Sequence, residues 1–178
     1  MKNGNIEAVY PLSPMQQGMF FHSQLAPESG VYIEQLNCEM EGDLSTRNFI
    51  AACQQIVDRH SILRTAFAGA SQDKLLQVVG KKVKLPFEIL DWTGKDEETQ
   101  KNDLTELQKA DRENPFELGR APLMRVKIIR LGGARHHLIW THHHLLLDGW
   151  SVPILLREVF LCYESFCRGD GVPSLPAA

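Results

Sequence analysis

Apolar positions recur along this chain with two periods, and the switches between them mark its elements. Over residues 31–42, Leu36, Cys38 and Met40 alternate with Asn37, Glu39 and Glu41, the two-residue repeat of a strand with one buried and one wet face. Over residues 45–60, Phe49, Ala52, Cys53, Ile56 and Val57 fall at three- and four-residue spacing, which predicts a helix with one apolar face. The stretch RHSILRTAF, 59–67, then reads as helix end, turn and strand.

The same patterns extend over the rest of the chain. Ser13-Pro14 is a helix start, a capping hydroxyl followed by proline at the first helical position. Met15, Met19 and Phe20 form its apolar stripe, and it ends near Ala26-Pro27. Short strands are expected at 75–79 and 87–90, with Lys81, Lys82 and Lys84 on the solvated side of an edge strand. Residues 96–112 predict a surface helix with Leu104 and Leu107 facing inward. Strands follow at 122–131 and 136–143, joined by a Gly132-Gly133 hairpin. A last helix covers 151–167, with Leu155, Leu156, Val159, Phe160 and Tyr163 on its inner face. Beyond Arg168 the text GDGVPSLPAA is linker-like. Helices alternate with strands, and the hairpin makes the sheet mixed, so the expected fold is an α/β two-layer sandwich with a mixed β-sheet.

Composition narrows the class. At 178 residues, 43% hydrophobic and 23% charged, the chain can bury a core as one globular domain. A net charge of -3 supplies no electrostatic footprint for nucleic acid. There is no apolar run of the roughly 18–20 residues a membrane span needs, and the N-terminus lacks a signal-peptide core, so the expectation is cytoplasmic with no membrane partner. Cys38, Cys53, Cys162 and Cys167 form no C-x-x-C pair and read as buried thiols, not disulfides or metal ligands.

The candidate chemistry lies in WTHHHLLLDGWS, residues 140–151. Successive side chains of a strand face opposite ways, so His142 and His144 share a face while His143 points away. Adjacent histidines therefore cannot chelate one ion, and no metal is expected. Two readings remain: polar residues closing a strand end, or a catalytic base with its support. A neutral imidazole titrates near pH 6.5 and can accept a proton. Leu145, Leu146 and Leu147 would anchor the segment. Asp148 and Gly149 then supply a carboxylate and a permissive backbone just before a helix start.

Here the residues resemble a family. HHLLLDG, 143–149, followed by Trp150-Ser151, looks like the HHxxxDG signature of condensation domains of nonribosomal peptide synthetases. YPLSPMQQGMFFHS, 10–23, resembles the family's opening motif. RHSILRTAF fits RHxxLRTxF at every fixed position, and NPFELGRAPLMR, 114–125, resembles PFDLxxxPLxR. The four stretches agree in order and spacing over nearly the whole chain. One departure is His142, where the family usually has an apolar residue.

The resemblance implies a chloramphenicol acetyltransferase-like lobe and an amide-forming acyltransferase. The acceptor's amine attacks a donor thioester, each substrate riding on the phosphopantetheine arm of a donor or acceptor peptidyl carrier protein, with no cofactor bound directly. It makes His144 the catalytic residue, as base or as orienter of the amine; geometry alone suggests that the Gly149 backbone N–H comes near the tetrahedral oxyanion. His143, Asp148 and Arg64 become supports of the site, Arg64 as the ion-pair partner of Asp148. Arg59 and His60 could simply close the second helix. Members have two lobes enclosing a tunnel, so residues 1–168 look like the N-terminal, donor-side lobe and 169–178 like the start of a linker, the second lobe being absent and the chain inactive alone. A carrier-protein docking module without chemistry and a coenzyme A-dependent acyltransferase of the same superfamily remain the alternatives.

Overall fold

The computed structural model describes residues 3–71 and 74–175. Its centre is a four-stranded sheet in the order β2-β7-β6-β5, made of β2 (Ile33–Glu41), β5 (Phe87–Asp91), β6 (Met124–Gly132) and β7 (Arg135–His143). The β6–β7 hairpin is antiparallel and β5 runs parallel to β6, so the sheet is mixed. The hairpin turns on Gly132 and Gly133, whose φ angles of 103° and 58° lie where a side chain would be strained.

Helices cover both faces of this sheet. On one side α2 (Thr46–Arg59) and α4 (Ser151–Arg168) bring Phe49, Ile56, Leu155 and Val159 against Leu138, Trp140, Val126 and Ile128 in the main core. Each such side chain taken fully out of water contributes roughly 1.5–3 kcal/mol. On the other side, α3 (Glu97–Glu113) lays Leu104 and Leu107 over Trp92, Ile129, Leu131 and Ile139. Strand β7 is therefore buried at every position after Arg135, as a central strand covered on both faces must be.

A second sheet, in the order β1-β4-β3, joins β1 (Ile6–Pro11), β3 (Thr65–Ser71) and β4 (Lys74–Gly80), all antiparallel. The hydrophobic pattern gave no sign of β1. Its Val9 and Tyr10 stay 48% and 55% exposed, so backbone pairing to β4 defines this strand, without the alternating burial that a sequence displays. Helix α1 (Pro14–Leu25) begins as expected, with Ser13 accepting from Gln16 N–H and the Gln16 side chain accepting from Ser13 N–H. This reciprocal pair is a capping box.

Four expectations need correction. Lys81, Lys82 and Lys84 sit in a loop after β4 and not on an edge strand. The loop's backbone groups are taken by side chains: Asn5 brackets Lys82, and Gln54 holds Val83 O and Leu85 N–H at 2.8 and 3.0 Å. Met15 is 75% exposed and only Phe20 of the α1 stripe is fully buried. On α4 the buried face runs through Leu155, Glu158, Val159, Cys162 and Ser165, leaving Phe160 38% exposed. Cys167 is exposed, unlike buried Cys53 and Cys162.

Candidate active site

The HHLLLDG stretch leaves the end of β7 as a turn and enters α4. Its first histidine is locked in place. His143 is buried, its Nδ1 accepts from Leu145 N–H at 3.1 Å, and its Nε2 lies 3.1 Å from Ser23 Oγ on α1. A backbone N–H can only donate, so Nδ1 is the acceptor and the single proton of the neutral ring sits on Nε2, donating to Ser23. Ser23 in turn donates to Met19 O at 2.8 Å. Burial first, then the neighbouring His144 and His142, push the His143 pKa down to about 4. With both nitrogens engaged, His143 has no lone pair to offer a substrate. The ring of Tyr32 packs 6.1 Å from it, and Tyr32 OH meets His22 Nδ1 at 3.2 Å.

His144 differs in each respect. Its backbone N–H donates to Tyr32 O at 2.8 Å, which fixes the turn, but its side chain makes no hydrogen bond among the described residues. The ring is half-buried, with Nδ1 enclosed and unpartnered, so Nε2 is the nitrogen open to approach. His142 is buried beneath, its Nδ1 also unpartnered, and burial followed by the field of His144 holds its pKa down at about 4. It is therefore uncharged at neutral pH.

Asp148 is exposed and its carboxylate serves its own loop. Oδ1 accepts from Trp150 N–H at 3.1 Å, Ser151 N–H at 2.9 Å and Ser151 Oγ at 2.7 Å. These bonds, the Ser151 hydroxyl first, hold its pKa below the ordinary carboxylate range, with a smaller contribution from His144. It thereby closes the Asx turn that leads into α4, whose N-cap position is Trp150. Gly149 has no positive φ, and a Cβ there would meet nothing within 4 Å, so this fold by itself does not require glycine. Its N–H has no hydrogen-bond acceptor among the described residues.

The expected ion pair between Arg64 and Asp148 does not form. Arg64 is 5% exposed and turns its Nη1 to Glu7 Oε2 at 2.7 Å and to the Gly80 carbonyl. It ties β1 to β4, while Asp148 spends its acceptor on backbone N–H groups. Sequence reasoning missed Glu7 because β1 was not visible. Arg59 and His60 do more than close a helix. Both reach Glu158 of α4, at 3.3 and 2.6 Å, and Glu158 is 6% exposed. The signal for Ser23 and Gln16 was present, since both lie in the 10–23 motif. Gln16 Nε2 contacts Leu145 O at 3.4 Å, so α1 holds the signature turn at two points. Among the described residues no group of three or more His, Cys, Asp or Glu could hold a metal ion, and no helix is long and apolar enough to cross a membrane.

A mixed α/β lobe with HHxxxDG at the end of its central strand defines a class, and the chain belongs to the condensation domain family, whose model matches residues 6–178. Among curated proteins it is 42% identical over 172 residues to one of the linear gramicidin synthase proteins of Brevibacillus parabrevis, covering 97% of this chain and 3% of that protein. It is 36% identical over 165 residues to bacitracin synthase 1 of Bacillus licheniformis, covering 93% and 3%. The chain thus spans only a small part of these relatives. The starter condensation domain of rhizomide synthetase RzmA superposes with a TM-score of 0.86 at 25% identity, covering 95% of this chain and 42% of that one. A doubly substituted form of that domain, with a TM-score of 0.83, 25% identity and coverage of 93% and 37%, was solved with C8-CoA and Leu-SNAC.

Proposed function

We propose that this chain is the donor-side lobe of a condensation domain that joins a donor aminoacyl or peptidyl thioester to the amine of an acceptor aminoacyl thioester, both delivered on the phosphopantetheine arms of carrier proteins. The observation that carries the reading is the division of labour between adjacent histidines. His143 is saturated by Leu145 and Ser23, while the half-buried His144 ring makes no hydrogen bond among the described residues and has its Nδ1 enclosed. The acceptor nitrogen forms a bond to the thioester carbon, the C–S bond breaks, and the nitrogen loses a proton as the thiolate leaves. His144 Nε2 accepts or orients that N–H. The Gly149 N–H, which has no acceptor among the described residues, is read as the donor to the developing oxyanion. His143 fixes the turn from below and Asp148 from the α4 side. The capture of C8-CoA with Leu-SNAC by the related starter domain supports a site that takes an acyl donor and an aminoacyl acceptor together.

The site of this lobe is open. Asp148, Gly149 and Trp150 face solvent, Trp150 at 86%, so water can reach this end of the site. Residues 1–168 are therefore read as one lobe, 169–178 as the beginning of the connection to a second, and the lobe alone as inactive. In an intact two-lobed domain supplied with loaded donor and acceptor carriers, His144→Ala is expected to lower the rate of dipeptidyl thioester formation by about 10²-fold or more with an unchanged melting temperature. Full rate in that variant would remove His144 from the chemistry. Dipeptidyl thioester made by the isolated lobe would remove the requirement for a second wall.

A further inference from the structure

Near the signature turn, Trp140 Nε1, His142 Nδ1 and His144 Nδ1 are enclosed and make no hydrogen bond among the described residues. Trp140 and His142 both belong to β7 and share the face turned to α2 and α4. A buried donor or acceptor left unpaired is costly enough that folded proteins nearly always satisfy it, with protein groups or with bound water. Indole Nε1 only donates, so Trp140 cannot accept from either imidazole. Each neutral imidazole carries one donor and one acceptor, so His142 and His144 can satisfy each other.

The role given to His144 dictates where its proton sits. To take or orient an N–H, Nε2 needs its lone pair, which puts the single proton of the neutral ring on Nδ1. That Nδ1–H is enclosed and needs an acceptor. The carboxylates nearby do not supply one. Asp148 is exposed and turns Oδ1 to its own loop. Glu34, paired across the ladder with His142, is exposed and bonds to neither ring. Met124, the partner of His142 on its other side, is apolar. His142 itself is 5% exposed and only two residues from His144, so their Cα atoms are at most about 7 Å apart. It lies in the field of His144, and burial keeps it uncharged at neutral pH, so with its proton on Nε2 its Nδ1 can accept. The two rings make no direct bond, and one bound water, accepting from one Nδ1 and donating to the other, completes the pairing.

We propose that His142 is a positioning residue for His144: its Nδ1, through one bound water, takes the N–H of His144 Nδ1 and so keeps the His144 lone pair on Nε2. The inference rests on the reading of His144 as the group that meets the acceptor amine. It also gives a task to the residue by which this signature departs from the apolar side chain usual before it. An apolar side chain could fill that space but could not accept the proton.

The test reads ring tautomers by nitrogen NMR in the whole chain with labelled histidine, above neutral pH. The unsubstituted chain is expected to show His144 with Nδ1–H and a bare Nε2, and His142 with Nε2–H and a bare Nδ1. His142→Met should shift the His144 tautomer ratio about tenfold toward Nε2–H. His142→Asn, whose Oδ1 stands close to the place of Nδ1, should restore the native ratio, which a purely structural role would not predict. Circular dichroism and melting track the fold of each variant, and if His142→Met does not fold, the tautomer pair of the unsubstituted chain decides. A crystal structure is expected to hold a water within hydrogen-bond reach of both Nδ1 atoms. Nε2–H on His144 in the unsubstituted chain, an unchanged ratio in folded His142→Met, a shift caused by Asp148→Ala instead, or protein atoms filling the space between the rings overturns the proposal. The tautomers are read without turnover, so full rate in His144→Ala would overturn the catalytic reading while leaving this pairing in place, and the wrong tautomers would do the reverse.

Discussion

Ser23 Oγ on α1 lies 3.1 Å from His143 Nε2 at the end of β7, which fixes the tautomer of a histidine whose other nitrogen is held by Leu145 N–H. Ser23→Ala removes the acceptor of a mostly buried N–H. Because Ser23 is half-buried, water can replace part of the bond, so the expected loss is near the lower end of about 1–3 kcal/mol. Urea denaturation checks it. A loss under about 0.3 kcal/mol would show that α1 does not hold the signature through this contact.

Asp148 and Arg64 should behave as strangers. Asp148→Ala removes the acceptor for Trp150 N–H, Ser151 N–H and Ser151 Oγ in the turn that leads into α4 and is expected to cost about 1 kcal/mol, while Asp148→Asn, which keeps an acceptor oxygen suited to the same turn, costs less. Arg64→Ala leaves the Gly80 carbonyl and Glu7 without their partner, and about 2 kcal/mol or more is expected. In double-mutant cycles Arg64→Ala should couple to Glu7→Gln, modestly because the Glu7 side chain is 46% exposed. It should add independently to Asp148→Ala. Coupling above about 1 kcal/mol between Arg64 and Asp148 would revive the ion pair that the structure lacks.

Acid should weaken the fold before carboxylates titrate. His142 and His143 are held down at about 4 by burial first and then by neighbouring histidines, against roughly 6.5 in an unfolded chain. Between those values the unfolded state binds more protons, so stability is level above about pH 6.5 and falls as pH drops toward 4, by about 1.4 kcal/mol per pH unit for each ring. His142→Met should flatten part of that slope. Ring NMR resonances of both histidines titrating near pH 6.5 would contradict the assignment.

Local pattern made most of the elements readable. Phe49, Ala52, Cys53, Ile56 and Val57 occupy one helical face of α2 and are all buried, because a helix that must cover a sheet writes that requirement into its spacing. Ser13-Pro14 and Gly132-Gly133 marked turns and caps for equally local reasons. The HHLLLDG stretch was visible as a site because polar side chains interrupted a buried strand. Strand β7 ends at His143 and His144 lies in the turn beyond it, so strand alternation does not reach His144.

What the chain's own text could not supply was the identity of partners brought together from distant segments. Arg64 finds Glu7, 57 positions away, because β1 pairs with β4, and that strand depends on backbone hydrogen bonds that leave no hydrophobic signature. Asp148 stays with Ser151 because three donors within its own turn satisfy the carboxylate without desolvating it, which a pairing with buried Arg64 would have required. Residue types and their periodicity determined the helices, most strands and the candidate histidines. Only the tertiary structure decided which charge met which, and which of the two signature histidines kept a nitrogen free, because both depend on distances between elements that the sequence does not encode locally.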